Sequence, residues 1–336
     1  MRYYNLQIFN KDEVIYDFTS LIQGNTVNSY KGQTTNPNAL NVEFDIPLFN
    51  ASAPTQNAYV RVYGIPLKDL SQSANLNGQT AKFYGGMWKG LPLANPKQSG
   101  LIVTGTVLQA FGNWQGTNQT LDIYFSPSSY SYGDIKNIVL STTINQDFAS
   151  AIKTALRTAY PLAKITVDIS DKLIFTQDIQ AYYQNIFEFA ENMNEMSKSI
   201  IKNNKYIGVQ ITFPSGNLSN GEILVYDTIY APPKKTIAFF DLIGQPTWLK
   251  PFIISLKTVL RADLQVGDII SLPRALSGYS VTTPQNQSRY RDNSIFQGDF
   301  QIQTLRHMGN FRQKDANSWV TVIEAFPHIT YTELDL

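Results

Sequence analysis

The hydrophobic period of this chain changes twice, and that change constrains the fold more than any single motif. Near the start, Val42, Phe44, Ile46 and Leu48 alternate with Asn41, Glu43, Asp45 and Pro47. A period of two belongs to a strand with one buried face. Runs at 59–63, 80–84, 101–111 and 119–125 continue the pattern, and Asn36-Pro37-Asn38, Asn77-Gly78, Asn95-Pro96 and Gly112-Asn113 separate them. Several short strands divided by turn residues predict a sandwich or barrel. In the middle the period becomes helical. Phe148, Ile152, Ala155, Leu156 and Ala159 predict a helix over 146–159, capped by Asn145 and stopped by Pro161. After a β-run at 165–169, Ile179, Tyr182, Ile186, Phe189, Met193, Met196 and Ile200 form one stripe. Gln184, Glu188, Glu191, Glu195, Lys198 and Lys202 form the opposite face of this second predicted helix, which Asn203-Asn204 ends. Strands are expected again at 206–213 and 222–226.

Beyond Ala231-Pro232-Pro233-Lys234-Lys235, a stiff connector, the period of two returns at 237–243, 252–260, 267–272, 296–306 and 318–326. The polar stretch 277–293 reads as a long loop. The expected organisation is a β domain over 1–130, an α+β insert over 131–230 and a second β domain over 231–336. A length of 336 residues suits two or three domains at roughly 150 residues each. The two β regions share a layout, which predicts a weak internal repeat. Each has a Gly-led short strand, Asn77-Gly78-Gln79 in one and Val266-Gly267-Asp268 in the other. Each then has a long loop and a Gly-centred strand, with Gly105 in one and Gly298 in the other.

Composition excludes several function classes. Lys+Arg 27 against Asp+Glu 26 leaves a net charge of +1, without the basic excess of a dedicated nucleic-acid binder. Low net charge also means weak repulsion between copies. Aromatic residues reach 12%, which favours strands and interfaces. Cysteine is absent and the only histidines are His307 and His328, so a thiol nucleophile, a Cys-based zinc site and a His-rich metal cage are excluded. No apolar run reaches the roughly 18 residues of a membrane span. The first residues alternate and carry no signal-peptide block, so a protein made and used without Sec export is expected.

Chemistry-bearing motifs are sparse. No phosphate loop, nucleophile elbow or H-E-x-x-H is present. Glu188, Glu191 and Glu195 share a helix face. A general acid/base pair would need two of them in different environments, whereas a solvated face with Glu195 beside Lys198 is the ordinary outcome. His307, at a strand end, is a base or ligand on one reading and a turn or interface group on the other. Arg306, Arg312 and Lys314 could form a basic hairpin tip. Trp88, Trp114, Trp248 and Trp319 fit a sugar platform, but core or subunit interface is the commoner place for tryptophan. The expectation is a protein without catalysis, cofactor or metal.

The order of several segments resembles a known family. Asn57-Ala58-Tyr59-Val60-Arg61-Val62-Tyr63-Gly64 is followed by Leu76-Asn77-Gly78-Gln79, Lys82-Phe83-Tyr84-Gly85-Gly86 and Leu101-Ile102-Val103-Thr104-Gly105. Later come Asp241-Leu242-Ile243-Gly244-Gln245-Pro246-Thr247-Trp248, Leu264-Gln265-Val266-Gly267-Asp268, Phe296-Gln297-Gly298, and Arg306-His307-Met308-Gly309-Asn310-Phe311-Arg312 with Ser318-Trp319. This is similar to the baseplate hub proteins of contractile-tailed bacteriophages, from about Asn57 to Phe326. The resemblance implies two tail-tube-like β-barrels flanking the small α+β domain. It implies a homotrimer whose quasi-six-fold ring joins the tail-tube ring to a trimeric central spike protein. Baseplate wedge or adaptor proteins and the tape-measure protein terminus are further implied partners, with genomic DNA passing through the lumen during ejection. The implied location is the virion tail baseplate, after assembly in the host cytoplasm. Candidate inter-subunit or axial contacts are Trp248, Trp88, Tyr30 in the loop 26–38, Arg291 in the loop 277–293, Arg306 and Arg312. A tail-tube or adaptor protein of the same fold, a type VI secretion spike hub, and a glycan-acting β protein (a hydrolase using Glu188 and Glu191, or a carbohydrate-binding module using Trp88 or Trp114) are the alternatives.

Overall fold

The alternating residues do form strands, and strands such as β1, β5, β6 and β17 turn their apolar sets inward. The structure, a computed structural model, describes residues 2–23, 33–52, 57–88, 95–126, 136–214, 221–273 and 298–328. The first part contains β1 (Arg2–Asn10), β2 (Glu13–Thr19), β3 (Leu21–Gln23), β4 (Gln33–Thr35), β5 (Val42–Phe49) and β6 (Ala58–Tyr63). A short helix α1 (Leu67–Ser71) and a 3-10 turn over Ser73–Leu76 precede β7 (Thr80–Met87), β8 (Gly100–Gln115) and β9 (Asn118–Ser126). The second part holds β10 (Ile138–Thr142), α2 (Phe148–Ala159), β11 (Lys164–Asp168), β12 (Ile179–Tyr183), α3 (Ile186–Ile200), β13 (Gln210–Thr212) and β14 (Glu222–Tyr226). The last part adds β15 (Lys235–Thr236), β16 (Thr247–Lys250), β17 (Ile253–Val259), β18 (Ile269–Leu272), β19 (Gly298–Asn310) and β20 (Trp319–Pro327). The fold class is mainly β, with the two longer helices confined to the middle of the chain.

Thirteen strands belong to one sheet, in the order β16-β17-β20-β19-β5-β6-β9-β8-β7-β1-β2, with β18 on β19 and β15 on β18. Among the described residues no ladder closes either half on itself. Two cores lie against this sheet. One is built from Tyr4, Leu6, Ile8, Phe44, Val60, Phe83, Ile123 and their neighbours, and it also takes Leu260 and Trp319 from the other end of the chain. The other gathers Ile237, Ile254, Leu256, Ile270, Phe300, Ile302 and Ile323. A third core belongs to the middle segment, with Phe148, Leu156, Phe175, Phe189, Met193 and Val225, and it takes in Ala51. Burying each set of apolar side chains is the main stabilising contribution.

Both longer helices begin elsewhere than the spacing predicts. The second helix begins at Ile186, and Ile179 and Tyr182 lie on strand β12, which pairs with β10 from Ile138↔Tyr183 to Thr142↔Ile179. The side chain of Asn185 accepts from the N–H groups of Phe187 and Glu188 (3.0 and 2.9 Å), and the Glu188 carboxylate accepts from Gln184 N–H (2.9 Å). This reciprocal cap starts the helix there. Helix α2 is capped by Asp147, which accepts from Ser150 N–H at 2.7 Å, and not by Asn145, whose φ of 68° places it in the turn before.

The repeat extends to hydrogen bonds. Gly78 N–H donates to Val107 C=O (2.8 Å), and Val107 N–H donates to Gln79 C=O (2.8 Å). Gly267 N–H donates to Ile302 C=O (2.9 Å), and Ile302 N–H donates to Asp268 C=O (2.8 Å). Both glycines are left-handed, at φ 80° and 94°, which a side chain would resist. Both bonded partners sit at a register shift, between Val107 and Gln109 in β8 and between Ile302 and Thr304 in β19. The path β7-β8-β9-β6-β5 therefore recurs as β18-β19-β20-β17-β16, with the same chain order. The register shows that Gly105 and Gly298 are not counterparts. Gly298 faces Leu272 as Val103 faces Phe83.

Candidate assembly site

The two repeats meet at one joint. Strand β5 lies antiparallel beside the distal part of β19, from Thr304↔Phe49 to Asn310↔Glu43. Arg306 on β19 grips Asp45 on β5 through both guanidinium branches, one at 2.7 Å. The paired carboxylate raises the Arg306 guanidinium above its ordinary range. Arg312 donates from Nη2 to Ala39 C=O (2.6 Å), and its N–H donates to Asn41 Oδ1 (3.1 Å). Arg306 and Arg312 are therefore fasteners between the two ends of the chain in this fold, and they do not make a basic tip with Lys314.

His307 lies inside β19 and is not at a strand end or in a turn. It is buried, with Nδ1 2.9 Å from Thr321 Oγ1. Burial pushes its pKa down to about 4, with the charge of Asp263 opposing. Trp319 packs beside the joint. Its Nε1 donates to Gly86 C=O at 2.9 Å, and its ring meets Phe44 edge-on at 5.0 Å. Arg2 clips the turn between β19 and β20 by donating to Asn310 C=O (2.6 Å), Asp315 C=O (2.8 Å), Ser318 Oγ (3.0 Å) and Gln313 C=O.

On the outer face of β5, β6 and β9 the charges pair among themselves. Arg61 binds Asp122 through Nε (2.6 Å) and Nη2 (2.9 Å), and Asn113 adds a bond to the same carboxylate at 2.7 Å. Tyr63 donates to Glu43 at 2.8 Å, and Tyr59 packs on Tyr124 at 5.0 Å. The bond to Asp122 raises the Arg61 guanidinium, and burial beside Asp122 raises the Tyr59 phenol. Beneath the joint, buried Arg261 bridges Asp241 (3.0 Å) and Asp263 (2.7 Å), and Gln98 reaches Asp241 from the first repeat at 3.1 Å. Removing one member of such a buried set strands the other charges, and Gln98 ties the set to the first repeat.

Exposed apolar side chains are spread over the described residues, Leu162, Val139, Phe239 and Phe240 among them, and two groups of them lie at the ends of the repeats. The first is β16 and its turn, where Trp248 is 42%, Leu249 52% and Phe252 48% exposed. The second is the far end of β8 and the neighbouring α1, where Trp114 is 63% exposed and Leu67 and Phe111 are also open. Trp248 is thus on the strand that ends the sheet. Trp88 is half-buried, with its ring 6.1 Å from Tyr3. Tyr30 and Arg291 lie outside the described residues, as do most of the loop 26–38 and all of 277–293. A cavity of about 990 Å³ separates the C-terminal end of α3 from the second repeat, with Lys198, Lys202, Tyr206, Phe252 and Phe326 among its walls. Glu188, Glu191 and Glu195 are exposed on α3, and Glu188 is committed to the helix cap. Among the described residues no His, Asp and Glu group could hold a metal ion, and no helix is long and apolar enough to cross a membrane.

No family model matches this chain, and no curated protein matches its sequence. Solved structures of similar shape do exist. A tail protein from Neisseria meningitidis MC58 aligns over 96% of each chain at 8% identity and a TM-score of 0.49. The 43 kDa tail protein of prophage MuSo2 from Shewanella oneidensis aligns over 97% of this chain and 98% of its own, at 8% identity and 0.49. The E. coli c3393 protein, described as a type VI secretion component with structural similarity to the T4 tail proteins gp27 and gp5, aligns over 86% of this chain and 73% of its own, at 10% identity and 0.48. Likeness of this degree establishes no common family.

Proposed function

We propose that this chain is a structural subunit of a phage-type contractile tail, acting as a baseplate hub. In this reading three copies form a ring in which each copy supplies two tube-like units. The ring joins the six-fold tail tube to a three-fold central spike. One observation carries the reading. The five-strand unit occurs twice in the chain with the same strand order, the same register shift and the same glycine hydrogen bonds. Two like units per copy are what a three-copy ring needs in order to face a six-fold ring. The ordered sequence segments that resemble hub proteins agree with it.

The subunit is proposed to lack catalysis. Exposed Glu188, already bonded to Gln184 N–H, is poorly suited to a tuned acid/base role. Self-paired charges on the β5-β6-β9 face leave little positive surplus to hold phosphates, which suits a wall along which DNA passes. The test is co-expression with the neighbouring spike and tube genes, followed by mass measurement and electron microscopy. Three copies per spike are expected. A stable monomer in the presence of both partners overturns the hub reading, and six copies in one ring would favour the tube or adaptor role. Cell-wall hydrolysis that is lost in Glu188→Gln or Glu191→Gln would overturn the absence of catalysis.

A further inference from the structure

The joint between β5 and β19 has two halves, and the repeat supplies a second copy of each. The counterpart of β5 is β16, because Asp45 faces Tyr59 as Thr247 faces Ser255, and the flanking β9 and β20 match in register. The counterpart of the β19 stretch 304–310 is the β8 stretch 109–115, since both follow the same register shift. Within the chain only one β5-type edge meets a β19-type edge. The β16 edge ends the sheet. The β8 stretch has α1 and the following 3-10 turn over it, where Asn77 Oδ1 accepts from Ala110 N–H (3.0 Å) and Ser73 Oγ accepts from Gly112 N–H (3.1 Å). Leu70 packs so close to Gly112 that an added Cβ would sit 2.4 Å from its carbonyl oxygen.

We propose that β16 of one copy docks, head to tail, over α1 and the distal end of β8 of a second copy. This rests on the ring reading above and names the surfaces that close the ring. Both surfaces carry exposed apolar side chains, Trp248, Leu249 and Phe252 on one and Leu67, Phe111 and Trp114 on the other. They are the two places that the repeat symmetry pairs. The occupant is a second copy of this chain, because the internal joint already seats a β5-type strand at the corresponding place. A joint between unlike surfaces repeats around a ring until it closes. Because α1 caps the β8 edge, this joint packs side chains over a helix and does not extend the β-ladder there. It is therefore weaker than the internal joint and can open without unfolding a strand.

The test uses the full-length chain with Leu249→Glu on one surface and Trp114→Glu on the other. Both residues are more than half exposed, so melting temperature and circular dichroism should match the wild type. If either variant fails to fold, Phe252→Glu and Leu67→Glu replace them. Mass photometry and light scattering over a concentration series read the assembly. Each variant alone should assemble at least tenfold more weakly than wild type. An equimolar mixture should form a one-to-one dimer and no ring, because one intact joint survives between the two variants. A wild-type ring that persists in either variant, or a mixture that remains monomeric, overturns this joint while leaving the ring reading intact. A wild type that stays monomeric with spike and tube proteins present overturns the ring reading itself.

Discussion

His307 and Trp319 are both buried beside the joint. The His307 imidazole is neutral in the fold, and burial lowers its pKa from 6.5 to about 4. Below pH 6.5 the unfolded chain takes up a proton that the folded chain refuses. The stability contributed by His307 is thus fully present above pH 6.5 and falls away as the pH drops towards 4, by on the order of 3 kcal/mol in total. Urea unfolding at pH 7 and pH 4.5 should show that loss, and His307→Gln should remove most of the difference between the two conditions. Trp319→Ala removes an indole that bonds Gly86 C=O and fills the first core. A cost of about 3–5 kcal/mol is expected, measured by chemical unfolding, whereas Trp114→Ala on the surface should change stability by about 0.5 kcal/mol or less. Neither role was legible in the sequence. His307 stands in an alternating run whose partner strand is more than 250 residues earlier, and no local pattern reports which strand will lie beside it.

At the level of the element, the period of two located the strands because one face of each is buried. It also misled where two periods overlap. Ile179, Tyr182 and Ile186 are spaced as a helix would need, yet the first two lie on β12, and only the reciprocal bonds of Asn185 and Glu188 set the boundary. The glycine-led openings of β7 and β18 were legible, since Gly78 and Gly267 must be left-handed. Pairing Gly105 with Gly298 failed because residue type alone carries no register. The two equivalent glycines should respond differently to alanine. Gly78→Ala meets open space and is expected to cost about 1 kcal/mol from backbone strain alone. Gly267→Ala adds a methyl 3.2 Å from the ring of Tyr226, whose hydroxyl is tied to Asn50 at 3.0 Å. Its loss in urea unfolding should be clearly the larger of the two.

On the scale of the whole molecule, the hydrophobic side chains gather into three clusters, and these take residues from distant parts of the chain. Ala51 joins the middle core, and Leu260 and Trp319 join the first. Such exchanges were illegible because they depend on how one sheet continues from β5 into β19. They also have a consequence in time. A ribosome delivers the strands up to Ser126 long before it delivers Trp319. Until then the first core has an indole-sized gap, and until residues 304–310 are made the outer edge of β5 lacks its β19 partner. A chain interrupted before β20 lacks the Trp319 indole in its first core and is expected to be open to proteases there. Ribosome-stalled chains ending at residue 300 should be cut within the first repeat under protease doses that spare the released full-length protein. A late tryptophan thereby sets when an early core becomes complete.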